Sequence, residues 1–180
     1  MANNIKNEYI NNQDFLNALV SYKEQALEAS INNKQKPKIP DYIGECFLKI
    51  ANNLAKRPNF YSYTYKDEMI SDAIENCLMY FENFDPAKSS NPFAYFTQIC
   101  WYAFVRRIDK EKKQQYIKYK ATESFGILDE EELREIDDDN RLPQLEIYEN
   151  MYDFIEKYEH KEEKKKAGKK NKGIELFLEQ

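Results

Sequence analysis

Hydrophobic residues recur every three or four positions through much of this 180-residue chain, which is the period of helices with one apolar face. Polar segments interrupt the pattern at 32–40, 59–65 and 83–92. The pattern predicts helices over 11–29, 41–57, 65–81 and 92–113, and the last extends to 120 if its pattern continues. With only four glycines and six prolines, the chain is predicted to have an all-α fold.

The starts and the inward faces of these helices can also be predicted. Asn12 or Asp14 is a suitable cap for the first helix and Asp41 for the second, while Pro92 suits the first position of the fourth. The inward residues of the first two helices are Phe15, Leu16, Leu19, Tyr22, Ala26 and Leu27, then Ile43, Phe47, Ile50 and Leu54. Those of the next two are Met69, Ile70, Ala73, Ile74, Cys77, Leu78 and Phe81, then Phe93, Phe96, Cys100, Ala103 and Phe104, flanked by Trp101 and Ile108.

The pattern weakens after Ala121, where Leu142-Pro143 precedes a last predicted helix over 145–158. Residues 160–173 are rich in Lys and Glu, which is typical of disorder, and the chain then ends on a hydrophobic segment. We therefore divide the chain into an N-terminal helix and linker (1–40), a compact helical domain (41–120), an acidic, partly helical extension (121–160) and a flexible tail (161–180).

Net charge restricts the partners. It is −5, with a pI near 5.2, whereas a protein that binds duplex DNA tightly by itself is usually basic. The charge is also segregated, because residues 106–120 hold seven basic and two acidic side chains and residues 129–139 hold one basic and eight acidic ones. A role in nucleic-acid binding is therefore local, or conditional on a partner.

Several site classes find no support in the sequence. Cys46, Cys77 and Cys100 lie at apolar positions without metal-binding spacing, and they predict reduced, buried thiols. His160 is the single histidine, so neither a metal nor another cofactor is predicted. No secretion signal or membrane-spanning run is present, which predicts a cytoplasmic protein that does not bind membranes.

The outward face of the fourth helix carries the first candidate chemistry. Tyr95, Gln98, Tyr102 and Arg106 fall together on this face, and stacking on such a ring stabilises a bound base by roughly 1–3 kcal/mol. Packing of this face against another helix explains the same residues equally well. The basic end that follows, Arg106, Arg107, Lys110, Lys112 and Lys113, either contacts phosphates or is simply a solvated helix end.

Two other segments allow similar alternatives. The acids of the third helix, Glu68, Asp72 and Glu75, could dock a protein or could form the solvated face that any surface helix needs. Nothing in their spacing marks them as catalytic, so no catalytic residue is predicted. The C-terminal Ile174, Leu176, Phe177 and Leu178 either insert into a groove of a partner or fold back on the domain.

Three segments resemble conserved region 2 of the bacterial sigma factors: 68–72 (EMISD), 83–85 (NFD) and 93–107 (FAYFTQICWYAFVRR). In that family the region is a helical domain that binds the clamp helices of the largest RNA polymerase subunit and captures the −10 promoter element. Residues 11–16, 56–60, 91–95 and the hydrophobic terminus are similar to the late-transcription sigma factors of T-even-type bacteriophages. The similarity is strong over 43–113, fair before it and thin over 121–172.

The resemblance implies residue roles. The polymerase-binding residues are Glu68, Ser71, Asp72 and Glu75. Phe96 corresponds to a ring that helps hold the flipped −10 adenine, and Arg106 and Arg107 to contacts at the upstream edge of that element. The complete predicted DNA-binding set is Tyr95, Phe96, Gln98, Ile99, Trp101, Tyr102, Arg106, Arg107, Lys110, Lys112 and Lys113. Ile174, Leu176, Phe177 and Leu178 resemble the phage peptide that binds the replication sliding clamp.

Two departures from the sigma pattern stand out. Ile99 and Cys100 occupy the positions of adjacent tryptophans in ordinary sigma factors, and Trp101 lies one step further on. The sequence therefore does not identify which ring would melt the duplex. The helical wheel also places Phe96 nearer the core than Tyr95. No helix-turn-helix segment follows Lys120, so the −35 element is expected to go unread, consistent with activation by a clamp.

The resemblance therefore predicts a non-enzymatic sigma factor in an infected bacterial cell. It would direct the host core polymerase to phage late promoters that carry an AT-rich −10-like element. The main alternative is a helical, polymerase-binding adaptor or anti-sigma-like regulator that does not read DNA. A nuclease that uses Glu68 and Asp72 with a metal is a weaker third possibility.

Overall fold

A computed structural model describes residues 9–124 and 138–178, and it gives no side-chain description for 138–145, 148 and 168–178. Within those residues the chain is all-helical, as the sequence predicts. The helices are α1 (Asn12–Ile31), α2 (Asp41–Ala55), α3 (Lys66–Tyr80), a short 3₁₀-helix (Phe81–Asn83), α4 (Pro92–Ser124) and α5 (Asp138–Leu178). The chain divides into two compact units after Asp109, and we describe each by itself.

The helix starts differ in part from the prediction. Asn11, rather than Asn12 or Asp14, caps α1, and its side chain accepts a hydrogen bond from the backbone N–H of Gln13. Asp41 is the first residue of α2 and not its cap. Pro92 begins α4 as predicted, because a first-turn position needs no backbone donor.

The core of the first unit is an aromatic cluster. The Phe96 ring is fully buried, with ring centroids 4.7 Å from Phe47, 5.4 Å from Phe15 and 6.0 Å from Phe84. Because α1, α2 and α4 each contribute a ring, this cluster fixes the three helices against one another. The residues of the predicted inward faces that are buried are Phe15, Leu19, Tyr22, Ile43, Phe47, Ile50, Leu54, Met69, Ala73, Cys77, Phe81, Phe96, Cys100, Ala103 and Phe104.

Three inward predictions were wrong. Phe93, Leu27 and Leu78 are 42%, 63% and 41% exposed. Leu27 and Leu78 lie at the edges of their apolar faces, where a helical wheel gives direction but does not show how far a neighbouring helix extends. At Phe93 the exposed ring lies in the first turn of α4, beside the N-terminal segment.

Asn12 joins the start of α1 to the start of α4. Its side-chain amide donates to the carbonyl of Ser90 at 3.2 Å, and its oxygen accepts from the backbone N–H of Phe93 at 3.1 Å. Asn91 adds a second side-chain acceptor for the backbone N–H of Ala94. Two otherwise unpaired donors at the start of α4 are thereby satisfied, so the first turn of α4 is fixed to α1.

The second unit pairs the C-terminal part of α4 with α5. Tyr116 stacks on Tyr158 at 4.6 Å between centroids, and Tyr119 meets Phe154 edge-on at 5.4 Å. Residue 143, which precedes the last predicted helix, and residues 161–178, predicted as a flexible tail, lie within the bounds of α5. Lys and Glu are good helix formers and add local ion pairs such as Lys165–Glu162, so a charged composition is compatible with helix.

Candidate functional site

The outward face of α3 presents acids to solvent. Glu68 and Glu75 are exposed, and so is Ser71, whose hydroxyl donates to the Asp67 carbonyl at 2.8 Å. The inward face of the same helix is held by the buried Met69, Ala73 and Cys77. Because α3 is anchored along one side, these outward side chains form a fixed acidic surface.

The outward face of α4 in the first unit is shorter than predicted. Gln98, Tyr102 and Arg106 are exposed at intervals of four residues, so they follow one side of the helix. The side-chain amide nitrogen of Gln98 lies 3.5 Å from the Tyr102 hydroxyl oxygen. Tyr102 as a whole is 53% exposed. Tyr95, predicted to belong to this face, is half-buried, because its ring packs 5.3 Å from Phe84 and 5.1 Å from Phe96.

The two faces meet through two pairs of side chains. Asp72 of α3 accepts two hydrogen bonds from Arg107 of α4, from Nε and from a terminal nitrogen, each at 2.7 Å. Asn76, one turn further along α3, accepts from Arg106 at 2.6 Å. A residue predicted to bind polymerase is therefore paired with one predicted to bind DNA.

The remaining apolar residues of the predicted DNA-binding set on α4 differ in how far they are exposed to solvent. Phe96 is fully buried, which conflicts with its prediction as a DNA-contacting ring and agrees with the helical wheel. Trp101 is half-buried and its ring packs edge-on against Phe60 at 4.9 Å. Ile99 is half-buried against the core. Of the rings in this set, Tyr102 is the most exposed.

The three lysines of the basic end of α4 belong to the second unit. Lys110 and Lys113 are exposed and Lys112 is half-buried. Further along, the Tyr116 hydroxyl donates to Glu159 at 2.8 Å, and this hydrogen bond raises the pKa of Tyr116. Lys120 pairs with Glu123 at 2.6 Å, which raises the pKa of that lysine. Tyr116 and Lys120 are thus already partnered by carboxylates.

A hollow of about 350 Å³ lies beside the start of α4, and the hydrophobic pattern does not predict it. Its lining combines rings, amides and one aliphatic side chain: Tyr9, Ile10, Asn12, Asn53, Asn91 and Phe93. Tyr9 and Phe93 supply rings that can stack on an unpaired base. The Asn12 amide is already engaged by Ser90 and Phe93, and the Asn91 side-chain oxygen by Ala94. The only available signal was the exposed Phe93, and the hydrophobic pattern assigned that ring to the core.

Cys46, Cys77 and Cys100 are free and buried, as predicted. Cys77 and Cys100 lie in contact, with 3.5 Å between their sulfur atoms, and this contact, together with burial, raises the pKa of Cys77. Burial likewise raises the pKa of Cys46. In the part of the chain that the structure describes, no cluster of three or more His, Cys, Asp or Glu side chains could hold a metal ion.

The sequence also predicted a clamp-binding segment and no membrane-spanning helix. The predicted clamp-binding side chains, Ile174, Leu176, Phe177 and Leu178, lie outside the described side chains. Among the described residues, no helix combines the length and the apolar character required to cross a bilayer. No protein-family model matches the sequence, and a comparison with curated proteins gave no match. The functional argument therefore depends on the residues of α3 and α4 themselves.

Proposed function

We propose that this chain is a sigma factor that directs a bacterial core RNA polymerase to phage late promoters with an AT-rich −10-like element. The observation that carries the proposal is the adjacency of two unlike surfaces. The exposed acids of α3 flank a ring, an amide and a guanidinium on α4, and the Arg106–Asn76 hydrogen bond connects the two helices. These surfaces suit simultaneous contact with a protein and with a single DNA strand.

On the acidic surface, Glu68, Ser71 and Glu75 form the polymerase contact. Because these three side chains are exposed, a partner protein can reach them, and their negative charge suits a basic partner surface. Asp72 is the exception in the predicted set, because its carboxylate is engaged by Arg107.

On α4, Tyr102 stacks on an unpaired base while Gln98 hydrogen-bonds an edge and Arg106 contacts a phosphate. The hollow beside Phe93 is a second place for an unpaired base. AT-rich DNA favours both contacts because its strands separate at lower cost. The net charge of −5 agrees with weak binding of free DNA, so affinity comes from polymerase.

The contact with the sliding clamp is the part of the proposal that depends on sequence resemblance alone. Ile174, Leu176, Phe177 and Leu178 would occupy an apolar groove of the clamp. Such a contact would raise the local concentration of the polymerase complex at DNA that carries the clamp.

The second candidate, a polymerase-binding adaptor that does not read DNA, is favoured by two observations. Phe96 is buried, and Arg107 is neutralised by Asp72, so two predicted DNA contacts are already used within the protein. This candidate retains the acidic surface of α3 and makes no use of Tyr102.

Site-specific photo-crosslinking separates the two functions. A benzophenone amino acid replaces Tyr102 in one protein and Tyr42, an exposed tyrosine on α2, in the control. Each protein is mixed with core polymerase and with promoter DNA whose −10 region is unpaired. We expect crosslinks to the unpaired strand from position 102 only. Crosslinks to polymerase without any to DNA would support the adaptor instead.

A further inference from the structure

Asp72 and Asn76 lie one turn apart on α3 and hold two consecutive arginines of α4. Asp72 accepts both hydrogen bonds from Arg107, and Asn76 accepts one from Arg106. The amide nitrogen of Asn76 also donates to the backbone carbonyl of Asp72 at 2.6 Å. Asn76 is thus fixed at both ends of its amide, and the Arg106 side chain is directed by a group that cannot easily rotate.

The two arginines differ in how much charge remains for a ligand. The Arg107 side chain is 17% exposed, and the Asp72 carboxylate beside it compensates its charge. Arg106 is exposed, and the partner that orients it is a neutral amide. A phosphate therefore meets an uncompensated guanidinium at Arg106 but not at Arg107.

We infer that Asn76 is a positioning residue for DNA contact, that Arg106 makes the phosphate contact, and that Asp72 and Arg107 fix α4 to α3 without touching DNA. This inference rests on the proposed function and changes two of the roles implied by resemblance. Asp72 leaves the polymerase-binding set, and Arg107 leaves the DNA-binding set.

The salt dependence of promoter binding tests the assignment. The full chain, bound to core polymerase, is titrated with promoter DNA at several KCl concentrations. Each phosphate contact adds about 1 to the slope of log affinity against log salt concentration. We expect Arg106→Ala to lower the slope by about 1. Arg107→Ala should leave the slope unchanged and lower the melting temperature.

A charge swap keeps the test decisive if Arg107→Ala does not fold. Asp72→Arg combined with Arg107→Asp preserves an ion pair between the same positions, so the slope should equal that of the wild type. A lower slope in Arg107→Ala or in the charge swap would overturn the inference, because it would place Arg107 on a phosphate.

A double-mutant comparison tests the positioning role of Asn76. Asn76→Ala should weaken promoter binding in the wild-type background and have no further effect in the Arg106→Ala background. An equal loss in both backgrounds would mean that Asn76 acts only on stability and would overturn its assignment. If the wild-type chain forms no promoter complex with polymerase, the proposed function itself fails, and this inference fails with it.

Discussion

The carboxylate of Asp72 and the guanidinium of Arg107 are joined by two hydrogen bonds of 2.7 Å, which tie α3 to α4. Both side chains are less than a third exposed, so solvent screens the pair only in part. We expect Asp72→Asn to lower the free energy of unfolding by about 1.5–3 kcal/mol, the range for hydrogen bonds to charged groups. Urea denaturation measures this loss. Glu24→Gln, on the exposed side of α1, is the matched control and should be near neutral.

Phe96 and Tyr102 should respond in opposite ways to truncation. Phe96→Ala removes a fully buried ring, so it should cost about 3–5 kcal/mol of stability. Tyr102→Ala removes an exposed ring and should change stability by no more than about 0.5 kcal/mol, yet weaken the promoter complex. Thermal unfolding and binding to unpaired −10 DNA in the presence of polymerase measure the two effects. A Phe96→Ala protein of wild-type stability would contradict the core position of this ring.

Asn12 should contribute more to stability than its neighbour Gln13. Asn12→Ala breaks the hydrogen bonds to Ser90 and Phe93, so it should cost about 0.5–2 kcal/mol, as the loss of a helix cap does. Gln13→Ala removes an exposed side chain that contacts Asn17 within the same helix and should be nearly neutral. Equal effects in urea denaturation would argue against the link between α1 and α4.

The buried thiols predict a loss of stability at alkaline pH. Burial raises the folded pKa of Cys46 above the ordinary value of 9.0, and the contact with Cys100, together with burial, raises that of Cys77. Their contribution to stability is therefore complete below about pH 9, because neither state ionises there, and it is lost as pH rises toward the folded pKa. Urea unfolding at a series of pH values should show this fall, and Cys77→Ala should reduce its slope.

Iodoacetamide gives an independent check on the same thiols. At pH 8, Cys46, Cys77 and Cys100 should all react slowly in the folded protein and rapidly in urea, because all three thiols are buried in the folded state and the reagent cannot reach them there. Modification of the folded protein at the rate of a free cysteine would contradict the burial of these side chains.

The sequence predicted most of the helical architecture because its apolar faces are long and regular. On α2, Ile43, Phe47, Ile50 and Leu54 were all predicted inward and all are buried. The cap of α1 was missed because several adjacent residues can all cap a helix. Which of them does so depends on tertiary contacts: Asn12 is engaged with Ser90 and Phe93, far along the chain.

The candidate site was predicted less well because it depends on contacts between helices. Periodicity placed Gln98, Tyr102 and Arg106 on one exposed face, and the structure agrees. The same pattern cannot show that Asp72 and Arg107, 35 positions apart, form an ion pair that neutralises both charges. Nor can it detect a hollow lined by residues from three separate segments of the chain.

Run-off transcription with core polymerase on supercoiled DNA that carries an AT-rich late promoter tests the central claim most directly. We expect initiation at one defined start when this chain is added, equally with the Glu24→Lys control, and loss of initiation with Glu68→Lys or Glu75→Lys. Those three positions are exposed glutamates, so each variant changes net charge by the same amount. Binding of the wild-type chain to polymerase without any defined start would contradict the sigma-factor account.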